Sequence, residues 1–305
     1  MDKLNNEEVN SGITEYGLTE QSNTGSKLCK PPLEQSEDGL LCVHGADSGE
    51  QRAESPEGSF LPVDLLRDGA RELGIELTDD QIELLDKFAS LLVETNKTLN
   101  LTRITDPTEI VTGHYLDSFT CLAAAKIKRN ARVIDIGTGA GFPGIPIKIA
   151  RPDLNMTLLD ASGKKLKFIE GAVESQKLKV ESWEGTCSLV HARAEEAGRD
   201  PAHREVYDVA FARALADMKV LAELSLPLVK VGGMLIAQKS EGADEEIDSA
   251  RALIGQLGGR IEKIERIRIP CTEITRRLVV ISKVKPAPPE FPRPYSRISR
   301  KRRET

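Results

Sequence analysis

Apolar side chains recur three or four positions apart in residues 61–73 and 79–97, which predicts two amphipathic helices. Thr78 precedes the second run and Gln81 lies three residues after Thr78, a spacing that fits a capping box at a helix start. A third helix is predicted in "EIVTGHYLDSFTCLAAA". Residues 61–130 are therefore predicted to form a helical lead-in that packs on the sheet predicted in the later part of the chain.

From residue 131 onward, strand-like runs alternate with helical ones. The strands are predicted in "RVIDI", "MTLLD", "CSLVHA", "YDVAFA" and "MLIAQK", and helices in the stretches between them. Such alternation predicts an α/β fold with a parallel sheet wrapped by helices on both faces. The last two runs, "GRIEKIERIRI" and "TRRLVVISKV", have no helix between them and are predicted to pair antiparallel. This arrangement resembles the seven-stranded, Rossmann-like sheet of S-adenosylmethionine-dependent methyltransferases.

Charge and composition divide the chain further. Residues 1–60 hold 12 acidic against 4 basic side chains and show no hydrophobic period, which predicts a disordered acidic extension. Residues 131–284 form the predicted cofactor-binding domain. The last stretch, 283–305, holds 8 basic against 2 acidic residues. The basic C-terminal arm, 285–305, suits contact with a polyanion, and a solvated chain end is the other interpretation.

Several functional classes find no support in the sequence. No run approaches the roughly 18 apolar residues of a membrane span, and the polar start lacks a secretory core. The five cysteines include no CxxC pair, so no metal site is predicted. We expect a monomer that acts in the cytoplasm and binds neither membrane nor metal.

The stretch "VIDIGTGAGFPG" at residues 133–144 carries the first candidate chemistry. Glycines at 137, 139 and 141 let the backbone turn sharply and approach a ligand at the carboxyl end of a strand. Gly139, Gly141 and Gly144 also satisfy GxGxxG, a pattern that alone does not separate S-adenosylmethionine from a dinucleotide.

Two carboxylates bear on the choice of ligand. Asp135 would repel a pyrophosphate and attract the sulfonium or ammonium group of S-adenosylmethionine. Asp160 ends the next strand, where a carboxylate can accept hydrogen bonds from ribose hydroxyls of either ligand. Capping of the adjacent turns is the alternative role for both residues.

Two later stretches suggest where the adenine and the acceptor bind. In "HARAEE", the backbone of Ala194 and the carboxylate of Glu195 could meet an exocyclic amine. "FARALAD" lacks the D/N-P-P-Y/F loop of amine methylation and the cysteine of pyrimidine-carbon methylation. Arg213 stands there instead and could align a ring nitrogen such as guanine N7, which needs no deprotonation, or the cofactor carboxylate. An ion pair is the alternative role for Arg213.

Four stretches resemble, in order and spacing, the motifs of the RsmG (GidB) family of guanine-N7 methyltransferases. They are "NKTLNLTRITDPTEIVTGHYLDS", "VIDIGTGAGFPGIPIKIARPD", "LLDASGKKLKFIE" and "FARALAD". The resemblance covers roughly residues 61–284. It implies S-adenosylmethionine as methyl donor, a guanine of 16S ribosomal RNA near the decoding region as acceptor, and 16S ribosomal RNA or the small ribosomal subunit as partner.

Positions carried over from the family complete the predicted site. The family's cofactor contacts fall on Gly137, Phe142, Ala194, Glu195 and Arg213, and the glycine turn and the end of the second strand add Gly139 and Asp160. The predicted cofactor-binding residues are thus Gly137, Gly139, Phe142, Asp160, Ala194, Glu195 and Arg213. Arg213 is also the predicted catalytic residue.

Several motif residues outside this set have two interpretations. His114 and Asp117 could close over the cofactor or position the base. Alternatively they fasten the lead-in to the sheet, and this structural role is favoured because N7 attack needs no general base. Lys164, Lys165 and Lys167 form a basic helix face, suited to phosphate or to solvent.

Two rival functions stay open at this point. One is a dinucleotide-binding oxidoreductase of the NAD type. The other is a non-catalytic, RNA-binding ribosome assembly factor.

Overall fold

A computed structural model of the protein describes residues 58–174 and 185–300. Most of the predicted acidic extension therefore lies outside the described residues. The same holds for the end of the helix predicted in "KKLKFIEGAVESQKL" and for the last five residues of the basic arm.

Seven strands form one sheet, in the order β3-β2-β1-β4-β5-β7-β6. They are β1 (Arg132–Ile136), β2 (Asn155–Asp160), β3 (Cys187–His191), β4 (Tyr207–Arg213), β5 (Val229–Ser240), β6 (Gly259–Arg268) and β7 (Thr275–Lys283). Strands β1 to β5 pair in parallel, and β7 runs antiparallel to both of its neighbours. The predicted α/β class and the predicted antiparallel ending are both confirmed.

The strand order reverses at β1. From β1 the chain passes to β2 and β3 on one side and then returns to β4 on the other side. Open α/β sheets bind their ligands outside the carboxyl ends of the strands at such a reversal. The glycine turn leaves β1 at this point.

Ten helices are described along with the strands. They are α1 (Val63–Glu72), α2 (Asp79–Leu99), α3 (Pro107–Ile110), α4 (Asp117–Ala124), α5 (Gly144–Ala150), α6 (Gly163–Glu174), α7 (Ala194–Ala197), α8 (Met218–Ser225), α9 (Asp244–Gln256) and α10 (Tyr295–Arg300). A π-helical segment, Val111–Leu116, joins α3 to α4, and a 3₁₀ turn, Leu226–Leu228, comes after α8. Within residues 58–174 and 185–300, no helix is long and apolar enough to cross a membrane.

The lead-in helices cover one face of the sheet because α2 turns an apolar stripe inward. Leu85 and Phe88 are completely buried, and burial of such a side chain contributes about 1.5–3 kcal/mol. The predicted capping box is confirmed, since Thr78 and Gln81 each accept a hydrogen bond from the other's backbone N–H. Gln81 also donates from Nε2 to the carbonyl of Ile149 in α5 at 2.8 Å, which ties the lead-in to the sheet domain.

Helices α8 and α9 cover the opposite face. Their buried residues include Leu221 and Ile247, which belong to a second hydrophobic cluster. Successive residues of β4 divide between the two clusters, with Phe211 in the first and Ala210 and Ala212 in the second. This alternation is the period of two expected for a strand buried on both faces.

Three elements differ in extent from their predictions. The third lead-in helix is interrupted by the π-helical segment, which a hydrophobic period near 3.6 does not reveal. Strand β5 covers Val229–Ser240, longer than the predicted 234–239. Helix α8, predicted to extend through "DMKVLAELSLPLV", ends at Ser225 because Pro227, which lacks a backbone donor, lies within the 3₁₀ turn directly after it.

Candidate active site

The glycine turn comes directly after β1 and has backbone that only glycine adopts easily. Gly137 and Gly139 have φ angles of 72° and 61°, in the left-handed region that favours glycine. Gly144 begins α5, where a Cβ atom would lie 2.2 Å from Cδ2 of Leu158 on β2. The turn can therefore pack tightly on the sheet and leave its outer backbone near a ligand.

Only one carboxylate oxygen of Asp135 accepts hydrogen bonds from the glycine turn. It is fully buried, and its Oδ2 accepts hydrogen bonds from the Thr138 hydroxyl at 2.6 Å and the Gly144 N–H at 2.9 Å. The capping role is confirmed for this oxygen. Its Oδ1 is buried with no hydrogen-bond partner among the described residues. Burial raises the pKa of Asp135 to about 6, against the lowering effect of the two hydrogen bonds.

Asp160 joins the ends of β1 and β2. Its Oδ2 accepts a hydrogen bond from the Gly139 N–H at 2.9 Å, and its Oδ1 accepts one from the Ser162 N–H at 2.7 Å. The capping role is therefore present here too. Each carboxylate oxygen has two lone pairs, so each retains capacity to accept a ligand hydroxyl.

A cavity of about 270 Å³ lies at the carboxyl ends of the first four strands, near the lower end of the roughly 300–1,000 Å³ usual for small-molecule sites. Its walls come from the ends of β1, β2, β3 and β4 and from helices α7, α8 and α10. The lining residues are Gly137, Leu159, Asp160, Ala161, Ala192, Arg193, Ala194, Glu195, Ala214, Leu215, Ala216, Leu224 and Tyr295.

The structure brings four of the seven predicted cofactor residues into this cavity: Gly137, Asp160, Ala194 and Glu195. The other three, Gly139, Phe142 and Arg213, are not among its lining residues. Gly139 supports the wall through its hydrogen bond to Asp160, whereas Phe142 and Arg213 contact the lead-in.

Arg213 ends β4 and directs its guanidinium to the lead-in. Its Nη1 lies 3.2 Å from Oδ2 of Asp117, and its Nη2 donates to the carbonyl of Gly113 at 3.1 Å. Nη1 also donates to the His114 carbonyl and to the Ser118 hydroxyl, both at 3.4 Å. The ion pair proposed as the alternative role of Arg213 is thus present, and it joins the lead-in to the sheet. In the sequence, Arg213 directly precedes residue 214, which lines the cavity.

Asp117 fastens three strands to the lead-in. Besides Arg213 of β4, its carboxylate accepts hydrogen bonds from Nε of Arg276 in β7 at 2.8 Å and from Nε2 of Gln238 in β5 at 2.6 Å. The side chain of Asp117 is 1% exposed, and a buried carboxylate without partners would be strongly destabilising. The favoured structural role of Asp117 is confirmed.

His114 and Phe142 form a stacked pair under the lead-in. Their ring centroids lie 4.1 Å apart with planes 10° from parallel, and His114 Nε2 lies 2.9 Å from the Thr102 hydroxyl. Phe142 is 8% exposed, and its N–H bonds to the carbonyl of Thr138. Both its ring and its N–H are thus engaged within the protein, and its contact with a cofactor stays a prediction.

The pKa of His114 makes the stability of the fold depend on pH. Burial, and then the charge of Arg213, lowers this pKa from 6.5 to about 3. Between these values the unfolded chain binds a proton that the folded chain does not, so the stabilising effect is complete above pH 6.5 and is lost as the pH falls. We expect His114 to reduce the free energy of unfolding by about 2 kcal/mol between pH 7 and pH 5.

Urea unfolding at the two pH values, for the wild type and for His114→Gln, measures this effect. The variant should lose less stability on acidification than the wild type. An equal loss in both proteins would contradict the prediction.

The described free thiols are unsuited to nucleophilic catalysis. Cys121 is buried, and burial raises the pKa of its thiol far above the usual range; burial likewise raises the pKa of Cys187 to about 11. Neither residue lines the cavity. Among residues 58–174 and 185–300, no group of three or more His, Cys, Asp or Glu could hold a metal ion.

Sequence reasoning did not find several residues of the cavity wall. Arg193 is next to Ala194, and Leu215 lies two residues after Arg213. Their closeness in the sequence to predicted site residues could have indicated that they line the cavity. Tyr295 lies outside every motif, and no sequence signal placed it here. The basic face of α6, formed by residues 164, 165 and 167, does not line the cavity, and its role stays a prediction.

Comparison with known proteins identifies the family. The family model described as rRNA small subunit methyltransferase G, or GidB, matches residues 81–275. The chain belongs to this family.

Curated relatives named ribosomal RNA small subunit methyltransferase G match most of the chain. The relative from Alkaliphilus metalliredigens is 43% identical over 75% of this chain and 93% of its own length. The one from Pelotomaculum thermopropionicum is 43% identical over 76% of this chain and 94% of its own length. These matches confirm the predicted family. Membership of it also supports methyltransferase activity and the methyltransferase type of α/β fold.

Proposed function

We propose that the chain transfers a methyl group from S-adenosylmethionine to N7 of a guanine in 16S ribosomal RNA. The observation that carries this proposal is the cavity at the carboxyl ends of β1 to β4, bordered by Gly137, Asp160 and Glu195, in a member of the methyltransferase G family. Because its substrate would be 16S ribosomal RNA or the small ribosomal subunit, we expect the chain to act in the cytoplasm.

The residues around the cavity fit S-adenosylmethionine. Asp160 offers a carboxylate at the end of β2 for the ribose hydroxyls. The backbone of Ala194 and the carboxylate of Glu195 border the same cavity and are suited to the exocyclic amine of adenine. One oxygen of Glu195 accepts a hydrogen bond from Nε of Arg193, and the other would meet the amine.

The charge beneath the glycine turn favours this ligand over a dinucleotide. Asp135 is fully buried with one oxygen free of hydrogen bonds in the described part of the chain. A cationic ligand above the turn would stabilise the ionised carboxylate, whereas a pyrophosphate would be repelled. The ammonium and sulfonium groups of S-adenosylmethionine meet this requirement.

The chemistry needs alignment more than acid–base help. When bound, S-adenosylmethionine supplies a methyl group on a sulfonium sulfur, and guanine N7 presents a lone pair without loss of a proton. In the described residues no histidine or cysteine lines the cavity, which agrees with a reaction that uses neither a histidine base nor a thiol. Positioning of two reactants can lower such a barrier by several kcal/mol.

We assign Arg213 to this positioning. Its rigid donor fork suits a guanine edge or a carboxylate, and it directly precedes cavity residues 214–216. Its contacts with Asp117 and Gly113 hold the guanidinium at the junction of lead-in and sheet. Arg213 would align the reactants from there.

The decisive experiment incubates the purified chain with labelled S-adenosylmethionine and small ribosomal subunits that lack the modification. We expect label at N7 of one guanine of 16S ribosomal RNA, located by mapping of the modified base. Naked 16S ribosomal RNA, tested in parallel, identifies the form of the substrate.

Calorimetry with S-adenosylmethionine and with NAD distinguishes the methyltransferase from the rival functions. Tight binding of NAD alone supports an oxidoreductase, and RNA binding without methylation supports an assembly factor.

A further inference from the structure

One wall of the cavity comes from a part of the chain beyond the family match. Tyr295 lines the cavity, whereas the match to the family model ends at residue 275. Tyr295 begins α10, in a segment that returns to the sheet domain after β7. We call residues 285–300 the C-terminal strap.

Hydrogen bonds to its backbone hold the strap on the domain. Arg204 donates from Nη1 to the carbonyl of Phe291 at 2.6 Å and from Nη2 to the carbonyl of Ala287 at 3.0 Å. Arg199 donates from Nε to the carbonyl of Pro292 at 2.7 Å. Because these donors bind main-chain carbonyls, they fix the path of the strap just before Tyr295.

A buried ion pair fixes the strap two residues before Tyr295. Glu223 of α8 is 1% exposed, and Arg293 contacts both of its carboxylate oxygens, at 2.8 Å from Nε and 2.6 Å from Nη2. Paired geometry of this kind is the strong form of a charged hydrogen bond. Ile298 then packs on Leu224, the neighbour of Glu223 and itself a cavity residue.

Tyr295 retains free ring surface although the strap around it is fixed. The residue is 40% exposed, and the guanidinium of Arg193 lies over its ring, 4.7 Å from the centroid. Glu195 holds the same guanidinium through a hydrogen bond of 2.5 Å from Nε. The ring is thus oriented by Arg193, and its remaining surface borders the cavity beside Ala194.

We propose that Tyr295 binds the cofactor by stacking its ring on the adenine of S-adenosylmethionine, so that the C-terminal strap forms an outer wall of the cofactor site. This inference rests on the proposed function. The adenine would bind at this end because the groups suited to its exocyclic amine, on Ala194 and Glu195, lie next to Tyr295. The guanidinium of Arg193 contacts both Glu195 and the Tyr295 ring. Stacking of a base on an aromatic side chain is worth about 1–3 kcal/mol by alanine substitution.

Calorimetry on the full chain tests the role of Tyr295. Tyr295→Ala is expected to raise the Kd for S-adenosylmethionine roughly 10-fold or more, and Tyr295→Phe to keep it within about 2-fold, because the ring and not the hydroxyl provides the stacking. Arg297→Ala, an exposed neighbour in α10 that does not line the cavity, is the matched control and should leave the Kd unchanged.

A second ligand locates the contact. 5′-Methylthioadenosine carries adenine and ribose without the amino acid, so Tyr295→Ala should weaken its binding by a similar factor. A loss seen with S-adenosylmethionine alone would overturn the stacking on adenine. Unchanged binding of S-adenosylmethionine by Tyr295→Ala would overturn the inference and leave the proposed function intact. Absence of binding by the wild type would overturn the proposed function itself.

Discussion

Arg213→Ala is expected to lower the rate of methylation by about 100-fold or more, the size of effect expected when a reactant loses its alignment. The variant should stay folded, because Arg276 still pairs with the buried carboxylate of Asp117 at 2.8 Å. Label transfer to small ribosomal subunits measures the rate, and thermal unfolding followed by circular dichroism measures the stability.

Arg276→Ala is the matched control for this prediction. It removes the other arginine of the same carboxylate, so it costs a comparable ion pair without touching Arg213. We expect its methylation rate to fall less than that of Arg213→Ala. If the two variants lose equal activity and equal stability, Arg213 serves only to fasten Asp117, and its catalytic assignment is wrong.

Gly137→Ala is expected to weaken binding of S-adenosylmethionine at least about 10-fold. The new Cβ would lie 2.7 Å from Cδ1 of Leu215, so either the methyl group enters the cavity or it pushes Leu215, another cavity residue, further in. The φ angle of 72° adds a strain of about 1–2 kcal/mol for a residue other than glycine. Calorimetry gives the change in Kd.

Gly232→Ala separates strain from obstruction. Gly232 has a φ angle of 85°, and its Cβ would meet nothing within 4 Å, so its substitution introduces similar strain away from the cavity. Both variants should lose similar stability in thermal unfolding, and only Gly137→Ala should lose cofactor affinity. Equal affinities in the two variants would show that Gly137 does not border the ligand.

The fold was predictable because its signals are local and periodic. Three signals can each be recognised within a few residues, and each is confirmed. They are the alternation of strands and helices, the capping box of Thr78 and Gln81, and the absence of a helix before the last strand. The π-helical segment was not predictable, since one widened turn leaves the hydrophobic pattern almost unchanged.

The residues that meet at the cavity were predictable where they lie at strand ends. Gly137, Asp160 and Glu195 come at or close behind the ends of β1, β2 and β3, so the sheet alone brings them together. The orientation of the Phe142 ring was not predictable, because spacing along the chain does not show which way a ring turns, and here it stacks on His114. Tyr295 was missed because its position depends on contacts between residues distant in the sequence, such as the ion pair of Arg293 with Glu223.

The buried cluster around Asp117 also affects when the chain can fold during its synthesis on the ribosome. Asp117 lies 121 residues before Gln238 and 159 residues before Arg276, yet it needs both as partners. At a synthesis rate of about 5–20 residues per second, its carboxylate waits on the order of ten seconds or more for the last of them. The lead-in, although it is translated before the whole sheet, can complete its packing only after β7 has left the ribosome.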